Sequence, residues 1–191
     1  ANGDGIIDDN DRMPLFWSGT PLIHYGFNLE ASWKNFDIYA LLQGAGMYTV
    51  QFSEVYAEVL WSKGANTPAY FYDRWRKEDP YNPNSKWVAG KWPATRLIQD
   101  TGAMYKESNI WRRDASYLRL KTLELGYTLP DSILRKSGIS NIRFYINGYN
   151  LLTFCDSFVK AFDPEKVEGS YSAGMNYPLT KSFNIGFTAN F

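Results

Sequence analysis

The chain has 191 residues, with 20 Lys and Arg balancing 20 Asp and Glu, 45% hydrophobic residues and one cysteine. Zero net charge excludes a nucleic-acid binder, and the apolar fraction excludes a disordered chain. The single thiol, Cys155, excludes an internal disulfide and a cysteine-built zinc site. Aromatic residues reach 17% while mean hydropathy is -0.39, a mixture that alternating apolar and polar positions produce. No apolar run reaches the ~18 residues of a membrane-spanning helix, so any crossing must be made by strands.

In chain order, the first motif is Asp-rich. Asn2, Asp4, Gly5, Ile6, Asp8 and Asp11 fall at positions 3, 5, 6, 7, 9 and 12 of a calcium loop of EF-hand spacing, a pattern of hard oxygen donors around a sharp Gly turn. Asn2, Asp4, Ile6 (through its carbonyl), Asp8 and Asp11 are therefore candidate ligands for Ca2+ or Mg2+. Position 1 would lie before Ala1, Asp11 stands where a bidentate Glu is usual, and the flanks are not helical. A bound cation and a turn held by Asx hydrogen bonds both remain open.

Residues 22–33 alternate throughout, with Ile23, Tyr25, Phe27, Leu29, Ala31 and Trp33 on one face and His24, Gly26, Asn28, Glu30 and Ser32 on the other. A two-residue turn, Lys34-Asn35, returns the chain as a strand over 36–43, pairing Trp33 with Phe36 at one rim. Periodicity fails from 44 to about 110, where Gly and Pro punctuate a long loop with a short helix expected near 70–77. Strand character resumes at 115–128. Leu118 and Leu120 share one parity and Leu123, Leu125 and Tyr127 the other, so a β-bulge is expected near Lys121 or Thr122. A compact link over 129–141 with about one helical turn, a strand over 142–150, a second long loop over 153–178 and a final strand over 179–191 complete the chain.

The fold class expected is all-β, as five or so antiparallel strands joined alternately by short and long connections. Outer-membrane barrels show that asymmetry, with short periplasmic turns and long extracellular loops. Neither an amphipathic helix nor a second set of strands is available to cover the apolar face, which therefore needs lipid or a partner. Tyr25, Trp33, Phe36, Tyr127 and Phe191 lie near strand ends, as interfacial girdle residues do. Five strands leave two unpaired edges, intolerable in hydrocarbon. The chain is thus expected to be a fragment that closes against strands supplied by an absent N-terminal portion.

Several stretches resemble the C-terminal region of SusC/RagA-family TonB-dependent transporters: Asn-Gly-Asp-Gly-Ile-Ile-Asp at 2–8, Trp-Lys-Asn-Phe-Asp at 33–37 and Leu-Leu-Gln-Gly-Ala-Gly at 41–46. Ala-Ser-Tyr-Leu-Arg-Leu-Lys at 115–121, Leu-Gly-Tyr-Thr-Leu-Pro at 125–130 and Asn-Gly-Tyr-Asn-Leu-Leu-Thr-Phe at 147–154 continue the likeness, as do Asp-Pro-Glu at 163–165 and the final strand. Ending on Phe191, that strand also resembles the terminal sorting signal of outer-membrane proteins. The resemblance implies a plugged barrel of about 22 strands in the outer membrane of a Bacteroidetes-like Gram-negative bacterium, driven by the TonB complex and capped by a SusD-like surface lipoprotein. It implies active import of oligosaccharides or oligopeptides and no enzymatic activity.

Trp61, Tyr70, Tyr72, Trp75, Tyr81, Trp87 and Trp92 fall in the long loop. Their ring faces could stack on a captured sugar or peptide side chain, but the reading preferred is packing of the loop on itself or on a lid. Lys86, Arg112 and Arg113 are expected to meet lipid phosphates or neighbouring acids. Arg119, Lys121, Glu124, Arg143 and Tyr145 are expected to line the lumen or brace the plug, and His24, with no nucleophile or base partner in view, to line the wall. Two other classes fit parts of the pattern: a secreted calcium-stabilised carbohydrate-binding module, and a passive porin.

Overall fold

In the computed structural model, residues 2–6, 8–14, 16–52, 67–95, 108–135, 138–166 and 176–191 are described. The strands are β1 (Ile23–Trp33), β2 (Phe36–Gly46), β3 (Thr49–Gln51), β4 (Arg76–Lys77), β5 (Trp87–Val88), β6 (Arg112–Asp114), β7 (Tyr117–Thr128), β8 (Asn141–Phe154) and β9 (Ser182–Asn190). One five-stranded sheet has the order β1-β2-β7-β8-β9, with every neighbour antiparallel. Two small pairs, β3-β6 and β4-β5, accompany it. No described helix is long and apolar enough to cross a membrane.

The β1-β2 hairpin turns where Lys34 takes a positive φ of 55°, which a two-residue connection demands. The tip is tied to the next strand, since Asn35 Nδ2 donates to the Thr128 carbonyl (2.8 Å) and the Thr128 amide donates to the Asn35 carbonyl (2.9 Å). A single turn, α1 (Asp131–Leu134), links β7 to β8 with Leu134 turned inward.

The register sorts the sheet into rows. Trp33, Phe36, Tyr127, Phe144 and Phe187 stand opposite one another across all five strands at the hairpin end. Behind this aromatic row lies Ala31, Ile38, Leu125, Ile146 and Ile185, then Leu29, Ala40, Leu123, Gly148 and Phe183. The rows between carry Ser32, Asp37, Gly126, Tyr145 and Gly186, then Glu30, Tyr39, Glu124, Asn147 and Asn184. The ring centroids of Phe36 and Tyr127 are 4.7 Å apart, so Phe36 packs on the strand beyond its turn, while Lys34 Nζ sits 4.6 Å from the Trp33 ring.

The bulge expected in β7 is present. Leu41 pairs with Thr122 and Leu42 with Leu120, which leaves Lys121 extra and puts Leu118, Leu120, Leu123, Leu125 and Tyr127 on one face. A second register shift affects β8, where Leu120 pairs with Leu152 but Thr122 with Tyr149, and Asn150 has φ 54°. The strand therefore runs to Phe154 instead of ending at Asn150, and Leu152 and Phe154 join the apolar face.

That face is uncovered: Phe27, Leu29, Phe36, Ile146, Phe183 and Phe187 are exposed, and Ile185 is 87% exposed. Apart from Leu134, the buried hydrophobic residues gather at the opposite end of the sheet from the hairpin, in two adjoining clusters. Ala45, Tyr48, Val50, Phe52, Ala115, Tyr117 and Val159 form one, and Phe71, Trp92 and Trp111 the other, with Phe158 packed against both. The core thus belongs chiefly to the connections, joined by Ala45 and Tyr117 from the ends of β2 and β7.

An apolar face of that extent needs a cover that water does not supply, and lipid as that cover makes a specific prediction. In the full-length protein refolded into lipid vesicles, Leu29→Arg is expected to cost about 2–4 kcal/mol, whereas Glu30→Arg, one residue on and on the other face, costs less than about 1 kcal/mol. Equal costs would contradict the assignment of faces.

Candidate functional site

The polar face carries two charged networks. Nearer the hairpin, Arg143 is bidentate on Asp37, with Nε 3.0 Å from Oδ1 and an Nη2 contact to Oδ2, and it donates to Glu124 at 2.8 Å. Asn147 Nδ2 donates to Glu124 (3.1 Å), and Asn184 Nδ2 donates to Asn147 (2.9 Å). These side chains span four strands because Gly126 lies beneath them. A Cβ there would run into the Arg143 guanidinium and the Asp37 carboxylate, so the close approach requires glycine.

Nearer the loops, Arg119 is 3% exposed and fully engaged. Its Nη2 meets Asp163 at 2.5 Å, its Nη1 meets Glu165 at 2.7 Å, and its Nε donates to Thr153 Oγ1 at 3.0 Å. Lys121 Nζ, brought to this face by the bulge, donates to both Glu165 oxygens at 2.7 and 2.9 Å. Asp163 also accepts the amides of Glu165 (3.0 Å) and Leu179 (2.8 Å), drawing the two ends of the second long connection together. Tyr48 donates to the Pro164 carbonyl at 2.9 Å, and burial pushes its phenol well above the ordinary value, which keeps it a donor. Burial raises the Cys155 thiol as well, the condition of an inert structural cysteine.

The loop aromatics divide. Trp92 is buried, stacked on Trp111 with centroids 5.4 Å apart, and Tyr70 packs on Phe71, Trp92 and Phe158. Tyr72, Trp75, Tyr81 and Trp87 are exposed, Tyr81 by 94%, and Lys77 Nζ lies 4.7 Å from the Trp87 ring. Trp61 lies outside the described residues. The helix expected near 70–77 is a 3-10 turn over Ala69–Asp73 that stops where the chain is bridged to Trp92, the Trp75 amide donating to the Trp92 carbonyl (2.8 Å) and the Trp92 amide to Asp73 (3.0 Å). Gly90 allows this approach, because a Cβ would strike the Arg74 backbone.

In the Asp-rich segment the carboxylates are turned onto backbone amides. Asp4 Oδ1 accepts from Ile6 (2.7 Å), Asp11 from Asn2 (2.7 Å) and Asp8 (3.1 Å), and Asp8 from Asn10 (2.8 Å). Those bonds hold the Asp4 and Asp11 carboxyls below the usual carboxylate range. Among the described residues no three of His, Cys, Asp and Glu gather as a set that could hold a metal ion, and the donor directions are those of stacked Asx turns.

His24 and Tyr145 lie on the polar face as expected, Tyr145 over Gly186. Sequence reasoning missed Asp37, Asp163 and Glu165 as network partners; only the opposite parity of Asp37 to Phe36 and the Asp-Pro-Glu tripeptide marked them. Removing the guanidinium by Arg119→Met breaks a nearly buried pair and is expected to cost about 3–5 kcal/mol in urea unfolding of the full-length protein. Gly126→Val, which displaces Arg143, is expected to cost about 1–3 kcal/mol in the same assay. Wild-type midpoints in both would show that the networks hold nothing together.

No family model matches the chain. It is 31% identical over 201 residues to TonB-dependent receptor P3 and 30% identical over 206 residues to TonB-dependent receptor P26, both of Formosa agariphila; each match covers 100% of this chain. The chain spans only 18% and 19% of those relatives' lengths. Among solved structures, the RagAB peptide importer in its open-open state matches with a TM-score of 0.66 and 27% identity, over 92% of this chain and 18% of that one. Register, uncovered apolar face and these likenesses agree: the chain belongs to the SusC/RagA-like TonB-dependent transporters, as five antiparallel strands and attached connections of a larger barrel wall.

Proposed function

We propose that the chain is the C-terminal part of the barrel of an outer-membrane importer, energised through the TonB complex, that takes up oligopeptides or oligosaccharides beneath a SusD-like surface lipoprotein. The remaining strands and the plug come from the rest of the protein. The observation that carries this reading is the apolar face, continuous over five strands and ending in an unbroken aromatic row. Lipid covers such a face, and amphipathic rings settle at headgroup depth.

In this arrangement the hairpin at Lys34 and the link at α1 face the periplasm, and the core of connections around Trp92 and Trp111 faces outward. The polar rows look into the lumen, where the ion pairs of Arg143 and Arg119 stiffen the wall. Tyr72, Trp75, Tyr81 and Trp87 offer their faces to the incoming solute or to the lid, while Tyr70 and Trp92 hold the loop that presents them.

Purification of the full-length protein from native membranes in detergent is expected to bring a surface lipoprotein with it, and uptake of its ligand is expected to stop in cells lacking TonB. The double variant Tyr72→Ala with Trp87→Ala should weaken ligand capture by about fivefold to about 150-fold with the barrel intact, since each aromatic stack contributes roughly 0.5–1.5 kcal/mol. A natural protein that dissolves without detergent would point instead to a secreted carbohydrate-binding module. Uptake that persists without TonB would point to a passive porin.

A further inference from the structure

Three arginines, Arg113, Arg119 and Arg143, face the polar side of this wall, and two of them are ion-paired within it. Arg119 holds Asp163 and Glu165, and Arg143 holds Asp37 and Glu124. The third differs. Arg113 lies in β6 opposite Val50 of β3, a pair that continues β2 and β7 beyond the sheet. It keeps step with Ala115, Tyr117 and Arg119, which places it on the same side as the lumenal rows, at the level of the loop core.

Its guanidinium carbon is 5.8 Å from the Trp92 ring and 5.4 Å from the Phe158 ring. Its Nε is buried without a hydrogen-bond partner, and among the described residues Arg113 forms no ion pair. The neighbouring carboxylates are committed to other groups. Asp114 accepts the Ser116 amide (2.8 Å), Asp156 caps α2 (Ser157–Lys160) through the amides of Phe158 (2.9 Å) and Val159 (3.1 Å), and Asp163 is held by Arg119. Exposed Lys91 adds a second cation 5.9 Å from the same Trp92 ring.

A half-buried guanidinium with no anion is costly, and proteins rarely leave one so. Two aromatic contacts restrain it, so little side-chain freedom is lost when the fork is used, and a planar two-oxygen anion matches that fork. Resting on the importer reading above, we propose that Arg113 is the anchoring group of a carboxylate-binding site at the outer mouth of the lumen, which takes the acidic group of the incoming solute. The chemistry is met by a free peptide C-terminus or by a uronic acid.

Isothermal titration of the full-length protein with its lipoprotein partner tests this, using two pairs of probes: tetra-alanine against its C-terminal amide, and tetragalacturonate against its methyl ester. The free acid of at least one pair should bind about ten- to a hundredfold more tightly than its neutral partner, the range expected of charge-assisted hydrogen bonds. The pair that shows the difference identifies the source of the carboxylate. Arg113→Met should erase the difference while leaving the neutral probe's affinity and the gel mobility of the folded barrel unchanged, and Arg113→Lys should keep part of it. If neither acid is preferred, or the preference survives in Arg113→Met, the proposal is overturned. TonB-dependent uptake of neutral ligand in that case would leave the importer reading standing.

Discussion

Successive side chains of a β-strand point to opposite faces, so fixing the register of one pair commits both faces of both strands at once. In this chain the commitment propagates from the Trp33-Phe36 turn across Tyr127, Phe144 and Phe187. A shift of a single residue in any strand would bring charges such as Asp37, Glu124 and Arg143 into the apolar rows and carry Ile38, Leu125 or Ile146 into the polar ones. The two bulges, at Lys121 and near Asn150, are where the sequence changes phase and the backbone absorbs it, keeping the apolar face apolar from end to end.

Among the described residues no second layer covers that face. In a soluble sheet the outer rows would be the core, but here the core lies beyond the strands, where Phe52, Phe71, Trp92, Trp111 and Phe158 join the long connections. The polar face supplies cross-strand stiffness through charge. Arg143 ties β2, β7 and β8 together, and Arg119 anchors the residues after β8 to β7 through Asp163. Each pair is satisfied by several hydrogen bonds, the condition under which partly buried charges stabilise a fold.

Much of this was legible in the residues alone. The five strands, the tight turn at Lys34 and the bulge near Lys121 follow from parity, because a period of two leaves a trace that survives in any context. The extension of β8 to Phe154 was not legible, since a positive φ at Asn150 resets the phase without a glycine to signal it. The division of the loop aromatics was equally hidden. Trp92 and Trp87 have the same chemistry, and only the contact of Trp92 with Trp111, far along the chain, separates a buried ring from an exposed one. Asp163 acts through the backbone amides of Glu165 and Leu179 and through Arg119, a convergence of three segments that no local pattern encodes.

The face assignment is tested most directly by single cysteines placed one at a time from Ile23 to Trp33 in a Cys155→Ser background of the full-length protein. Each carries a fluorophore, in lipid vesicles, and is quenched in turn by a lipid-dissolved and by an aqueous quencher. Strict alternation is expected, with Ile23, Tyr25, Phe27, Leu29, Ala31 and Trp33 quenched from the lipid and His24, Gly26, Asn28, Glu30 and Ser32 from water. Uniform aqueous quenching along the strand, or alternation of the opposite phase, would contradict it.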